Sequence, residues 1–219
     1  LEENGVLKVY FDEKKKKELD SLKKSLIKEK IVTEKDIEVI KSENQNWNEN
    51  WEKSIEPVYI KEKIVVYPSW KKDELENSEH RILIEIDPKM SFGTGHNETT
   101  QLVLELMSDY IIGIEESLLD FGTGTGVLTI AGIKLGVGNA VAIDIDDDSI
   151  SNAKEYFERN SVHDKVTIKK KNISQIKEDS FDVVCANIIR SVIIDNIEHI
   201  AGKIKPKGKL FISGILSTE

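Results

Sequence analysis

Three glycines at alternating positions, Gly122, Gly124 and Gly126, separate the apolar run Leu118-Leu119-Asp120-Phe121 from a helix-like pattern that starts at Val127. This arrangement constrains the fold more than any other stretch of the chain. Without Cβ atoms the loop can turn tightly and let a ligand approach the backbone, while the unpaired N–H groups of the following helix face the same crevice. The spacing is G-x-G-x-G preceded by Asp120, not the G-x-G-x-x-G of dinucleotide-binding proteins. A second acid, Asp144, ends the next apolar run, Ala140 to Ile143, about twenty residues on, where such folds grip ribose hydroxyls. The alternative is a purely structural turn between a buried strand and a helix.

The rest of the core alternates in the same way. Helices are expected at Thr99 to Tyr110, Val127 to Leu135, Asp148 to Asn160 and Ser191 to Ile204, with strands at Ser117 to Phe121, Ala140 to Asp144, Val166 to Lys170, Phe181 to Ala186 and Lys209 to Ser213. Pro206 and Gly208 read as the turn before the last strand. Apolar strands separated by amphipathic helices predict an α/β fold, a doubly wound parallel sheet with helices on both faces and right-handed crossovers. Its ligand crevice lies at the carboxyl ends of the strands, where Gly122, Asp144, Asn187 and Ser213 fall.

Upstream, Val6 to Phe11 alternates as a strand, and Asp12 is positioned to cap a helix with the stripe Leu19, Leu22, Leu26 and Ile27. Ile37, Val39 and Ile40 form another apolar set before the polar segment Trp47 to Trp51. One strand and one helix bury too little for a self-sufficient core, so residues 1–54 read as an incomplete α+β unit, in keeping with the absent initiator Met. Val58 to Tyr67 and Arg81 to Ile86 read as strands of a connecting segment, 55–90, ahead of the catalytic region, 91–219. A sheet of this class normally continues through one more helix and two strands, so the C-terminus reads as truncated too.

Composition narrows the function. With 39% hydrophobic and 32% charged residues over 219 positions, the chain is globular, and no apolar run approaches the roughly 20 residues that span a bilayer. The one cysteine, Cys185, lies in an apolar run and reads as a buried reduced thiol, which together with the lack of a signal pattern predicts a cytoplasmic protein. A net charge of −9 argues against a surface built to track nucleic-acid phosphates; the lysines between Lys14 and Lys30 read as a solvated helix face. His80, His96, His163 and His199 show no metal-ligand spacing, so no metal is expected.

Asp120-x-Gly122-x-Gly124-x-Gly126 resembles motif I of class I S-adenosylmethionine-dependent methyltransferases. A second glycine loop, Met90 to Thr100, combines with Ile143-Asp144-Ile145-Asp146, Cys185-Ala186-Asn187-Ile188-Ile189 and Ser213-Gly214-Ile215-Leu216. From about Trp47 onward this combination is similar to the PrmA family, which methylates large-subunit ribosomal protein L eleven. Trp47-Asn48-Glu49-Asn50-Trp51 and Tyr67-Pro68-Ser69-Trp70 resemble further stretches of that family. The resemblance implies a Rossmann-like core behind a small, ferredoxin-like N-terminal domain that holds the protein substrate. It also implies S-adenosylmethionine as cofactor and methyl transfer to amino groups, either a lysine side chain or an N-terminal amine, of a ribosomal protein.

Carried over by position, cofactor contacts fall on Thr100, Gly122, Gly124, Asp144 and Asn187, with Asn172 after the third strand of the core as a further candidate. Asn187 is also the candidate catalytic residue, orienting the incoming amine without an obligatory general base. Asp146 reads as a helix cap. The loop departs from the family's usual Phe-Gly-Thr-Gly-Thr-His-Pro-Thr-Thr: His96-Asn97-Glu98 replace Thr-His-Pro, moving the histidine by one place. His96 is a second candidate for helping the amine lose its proton. The rival readings are a methyltransferase of a small molecule or of nucleic acid, and a cofactor-binding module without turnover. Asn187-Ile188-Ile189-Arg190 lacks the Pro-Pro-aromatic sequence typical of enzymes acting on base amino groups.

Overall fold

The computed structural model describes residues 2–3, 6–7, 16–39, 55–75, 78–87 and 95–214. The expectations for Asp12, Ile40, Trp47 to Trp51, Met90 to Thr94 and the end from Ile215 lie outside the described residues. The chain divides into two compact units, Leu1–Trp47 and Asn48–Glu219. In the first, β1 (Glu2–Glu3) and β2 (Val6–Leu7) pair antiparallel, and α1 spans Lys16–Lys28. Leu19 and Leu26 of the expected stripe are half-buried, whereas Leu22 and Ile27 are exposed.

The second unit begins with a three-stranded sheet. The expected continuous strand Val58 to Tyr67 is instead a hairpin, β3 (Val58–Ile60) and β4 (Ile64–Tyr67), turning at Lys61, whose φ is +48°. Apolar residues run through both halves, and the charged Lys61-Glu62-Lys63 between them marks the reversal. β5 (Ile82–Glu85) then pairs parallel with β4.

The core follows as α2 (Glu98–Tyr110), β6 (Ser117–Phe121), α3 (Val127–Lys134), β7 (Asn139–Asp144), α4 (Asp147–Arg159), β8 (Val166–Lys170) and β9 (Phe181–Asn187). It continues through α5 (Arg190–Asp195), α6 (Ile197–Lys203) and β10 (Ile204–Ser213). The five strands β6 to β10 form one parallel sheet in the order β10-β9-β6-β7-β8.

Alternation along these strands serves two apolar layers. Leu118, Ala140, Ala142, Val183 and Cys185 face α2, α3, α4 and the small sheet, while Leu119, Phe121, Val141, Ile143, Val184 and Ala186 face Ile173, Ile193 and Ile200. Burial on both faces explains the near-continuous apolar runs.

Two further expected features need correction. The single helix Ser191 to Ile204 is two helices, α5 and α6, broken at Asn196, whose side-chain Nδ2 donates to the Val192 carbonyl at 2.9 Å. That local bond competes with the helical ladder. Pro206 and Gly208 do not form a turn ahead of the last strand; they lie inside β10, where the register with β9 shifts between Ile204 and Lys209 and Lys207 has φ +66°. A proline is tolerated in an edge strand at such an irregularity.

The small sheet is tied to the core by side chains standing in for a strand. Buried Asn160, just after α4, accepts from the Glu85 backbone N–H at 2.9 Å and donates to the Glu85 carbonyl at 2.8 Å. Arg159 pairs with Asp87 at 2.5 Å, and Lys134 Nζ donates to the Leu83 carbonyl at 2.7 Å. Asn160→Ala leaves both Glu85 backbone groups without these partners, at a cost of about 1–3 kcal/mol. The urea unfolding midpoint should fall accordingly; an unchanged midpoint would show that water or a neighbour replaces the amide.

Candidate functional site

The carboxyl ends of the parallel strands converge on one crevice. β6 runs into the glycine loop, where Gly122, Gly124 and Gly126 all have positive φ (+75°, +55° and +83°). The Gly122 and Thr123 backbone N–H groups donate to the Ile143 carbonyl at 2.9 and 3.0 Å, which folds the loop back toward β7. Close approach adds a second constraint at Gly122. A Cβ there would lie 2.2 Å from Cγ2 of Ile188, the residue after Asn187, so the loop packs directly against the end of β9.

Asp144, the last residue of β7, is held by backbone donors. Its Oδ1 accepts from Ile145 and Asp146 N–H at 2.8 and 3.1 Å, and its Oδ2 accepts from Gly124 N–H at 3.0 Å. A carboxylate has about four lone-pair sites. One on Oδ2 therefore remains for a ligand hydroxyl, and a second hydroxyl must share an occupied site. Asp146 accepts from Ser149 N–H at 2.8 Å and is the N-cap of α4.

Across the crevice, Asn187 ends β9 between two hydroxyls. Its Nδ2 donates to Thr100 Oγ1 of α2 at 3.0 Å, and its Oδ1 accepts from Ser213 Oγ, its register neighbour at the end of β10. Thr100 is fully buried, and its hydroxyl oxygen accepts from Asn187. Gly214, with φ +84°, closes the strand so tightly that a Cβ would lie 2.4 Å from the Ile188 carbonyl oxygen.

Asn172, beyond β8, spans the remaining stretch. Its backbone carbonyl accepts from Gln175 N–H and its backbone N–H donates to Gln175 Oε1, while its buried side-chain Oδ1 faces the same Gln175 N–H in a capping box without completing a hydrogen bond of normal geometry. An orphaned buried acceptor is costly unless a ligand donor meets it, and an exocyclic amine of a purine is such a donor. His96 turns elsewhere. Its Nε2 lies 3.0 Å from the Glu56 carbonyl, to which it donates.

Two residues already placed by the sequence at the crevice and in the glycine motif acquire specific partners. Ser213 becomes a partner of Asn187 through parallel pairing; the signal was its place at the end of an apolar run with a glycine behind it. Asp120 is buried beneath the glycine loop, and its Oδ2 accepts from Thr123 Oγ1 at 2.8 Å and Thr129 Oγ1 at 2.7 Å. Burial pushes its carboxyl up to about 6, with the nearby charge of Asp144 adding to the rise and the two hydroxyls opposing it. From the neighbouring position on β9, the buried Cys185 thiol is raised well above its ordinary value by the same desolvation and by Asp120, so it is an inert thiol. Among the described residues no cluster of His, Cys, Asp or Glu is arranged to hold a metal ion, and no helix is long and apolar enough to cross a membrane.

This geometry brings a glycine loop, a strand-end acid and a strand-end amide to the carboxyl ends of one parallel sheet. The whole chain, residues 1–219, matches the family model described as "Ribosomal protein L11 methyltransferase (PrmA)". The chain belongs to that family. A relative of that description from Acetivibrio thermocellus is 35% identical over 226 aligned positions, covering 99% of this chain and 69% of the relative. One from Listeria innocua is 38% identical over 175 positions, 80% of this chain and 55% of the relative. The chain thus spans about half the length of such Listeria relatives. The crystal structure of a ribosomal protein L11 methylase from Lactobacillus delbrueckii subsp. bulgaricus superposes with a TM-score of 0.66 at 27% identity, covering 74% of this chain and 81% of that one.

The buried acid gives a stability signature. Because the folded chain raises the Asp120 acid above its ordinary 3.8, it favours the protonated form. That contribution is fully present below pH 3.8 and lost as pH rises through about 6, a difference on the order of 3 kcal/mol between the two limits. Both threonine hydroxyls donate to one oxygen, which an amide carbonyl replaces. Asp120→Asn should consequently melt at or above the wild-type temperature at pH 7.5, with the gap closing toward pH 5. A variant that melts well below wild type at pH 7.5 would contradict this.

Proposed function

We propose that the crevice binds S-adenosylmethionine and that the chain transfers its methyl group to amino groups of a ribosomal protein, the L11 protein of the large subunit. The observation that carries this reading is the Asn187 amide, fixed at both ends by Thr100 and Ser213 at the strand ends and adjoining the glycine loop through the Ile188–Gly122 contact. Membership of the PrmA family supports the acceptor class, and the orphaned Asn172 oxygen supports an adenine ring at that end of the crevice.

In this reading Asp144 accepts from the ribose, Gly122 and Gly124 let the backbone approach the cofactor's amino-acid part, and the Thr100 hydroxyl donates to its carboxylate. Asn172 accepts from the adenine amino group. When bound, the cofactor supplies a methyl on a sulfonium, an already activated leaving group.

What the protein must add is alignment. A lysine amine has an ordinary pKa near 10.4, so little of it is neutral at pH 7, and desolvation at the crevice favours the neutral form that can attack. Asn187 retains one amide hydrogen and one carbonyl lone pair after its bonds to Thr100 and Ser213, enough to orient an incoming nitrogen. Proton release goes to solvent, without an obligatory general base; His96, held by Glu56, takes no part. The finer assignment, to a lysine side chain or an N-terminal amine, is part of the same proposal, as is action in the cytoplasm.

Calorimetric titration with S-adenosylmethionine should show Asp144→Ala weakening affinity about tenfold or more, the size expected for loss of a charge-assisted hydrogen bond. With purified L11 protein as acceptor, Asn187→Ala should lose about tenfold or more in kcat. Unchanged affinity in the first variant would remove the ribose assignment, and a kcat within a few-fold of wild type in the second would remove the orienting role. Methyl transfer to a nucleic acid or small molecule in place of L11 would replace the acceptor assignment.

A further inference from the structure

The glycine loop of a cofactor site has to keep its shape when the ligand leaves, and here one acid carries both hydroxyl anchors. Thr123 lies in the loop and Thr129 in the first turn of α3, and both donate to Oδ2 of Asp120. The loop is also pinned by backbone bonds, from Gly122 and Thr123 N–H to Ile143 and from Gly126 N–H to Thr123. These do not depend on charge. The two hydroxyl bonds do, because a hydrogen bond to an ionised acceptor is roughly twice as strong as one to a neutral acceptor.

We infer that Asp120 is a positioning residue of the cofactor site: as a buried anion it locks the glycine loop to α3 through Thr123 and Thr129, so that cofactor affinity is coupled to its protonation. This rests on the reading of the crevice as the S-adenosylmethionine site and extends it to a residue that need not touch the ligand.

The surroundings of Asp120 make the coupling specific. On β7 its register neighbour is Ala142, and further along that strand the charged group acting on it is Asp144. On β9 its neighbour is the neutral Cys185 thiol, which packs on Met107 of α2. The buried residues of α2 are Thr100, Val103, Leu104, Met107 and Ser108, and those of α3 are Val127 through Ile133, none of them ionisable near neutrality. No described cation on these inward faces compensates the carboxylate. Its charge is maintained against burial chiefly by the two threonines, and its acid is pushed up to about 6. The charged form is thus costly for folding yet present at neutral pH, as expected of a group kept for binding.

The test is the affinity of the full chain for S-adenosylhomocysteine between pH 5 and 7.5. This product lacks the sulfonium charge but keeps the α-ammonium, so attraction of the sulfonium plays no part in the profile. Wild type should lose about tenfold in affinity from pH 7.5 to pH 5, with a midpoint near 6. Asp120→Asn should bind more weakly than wild type at pH 7.5 and stay flat across the range. Thr129→Val, which retains the acid but removes one hydroxyl that favours its charged form, should move the midpoint to higher pH, a shift that a merely structural role would not produce. Circular dichroism melts at each pH establish that the species measured are folded; if Asp120→Asn does not fold, the wild-type profile and the Thr129→Val midpoint decide. A flat wild-type profile, a slope retained in Asp120→Asn, or an unmoved midpoint in Thr129→Val overturns the inference while leaving the cofactor assignment standing. No binding of either S-adenosylmethionine or its product at pH 7.5 overturns both.

Discussion

Parallel pairing of β10, β9, β6 and β7 is the constraint on which the site depends. A register slip of one residue would turn Asn187 and Ser213 to opposite faces and carry the end of β6 away from Ile143. The observed register sets Ser213 beside Asn187 and Phe121 beside Ile143. It is held by burial on both faces, since Leu118 and Leu119 enter different apolar layers and a slip would exchange them. The crevice is thus a by-product of core packing, and its side chains inherit the rigidity of the strands that end there.

Charge is distributed unevenly along this rim. Asp144 is stabilised by three backbone N–H groups and remains partly accessible, whereas Asp120 is enclosed and relies on two hydroxyls. The two acids of one motif region thus have different physical roles. One stays partly accessible at the end of β7, and the other lies enclosed beneath the loop at a cost in folding free energy that an amide would not incur. Asn187 and Thr100 follow a third pattern, neutral groups fixed by each other with hydrogen-bonding capacity left over.

Much of the core was legible along the chain because each strand and helix there is buried on a regular period. Ser117–Phe121 and Val166–Lys170 have the same bounds in sequence and structure, α2 and α3 differ by one residue at one end, and α4 by one residue at each end. Errors fall where apolar pattern and backbone direction part company. Val58 to Tyr67 is apolar on both sides of a turn made by charged residues, and Ser191 to Ile204 holds its helical pattern through Asn196, where a side chain takes over a backbone acceptor. Pro206 and Gly208 carry a turn signature, yet pairing with β9 draws them into a strand irregularity.

The local chemistry is written along the chain: glycines that allow positive φ after β6, an acid ending β7, an amide ending β9, and the strand–helix alternation that makes the sheet parallel. These follow from backbone sterics and burial period, which act over a few residues. Which groups meet depends on long-range packing. Thr100 and Asn187 are 87 positions apart, and Ser213 and Asn187 are 26 apart. Their contact is fixed by strand order and by the packing of α2, long-range choices in which the whole core takes part. The same holds for Asp120. Its place in a glycine motif is visible in one dimension, but its burial, and with it the balance between desolvation and two threonine hydroxyls, exists only once the sheet is covered on both faces.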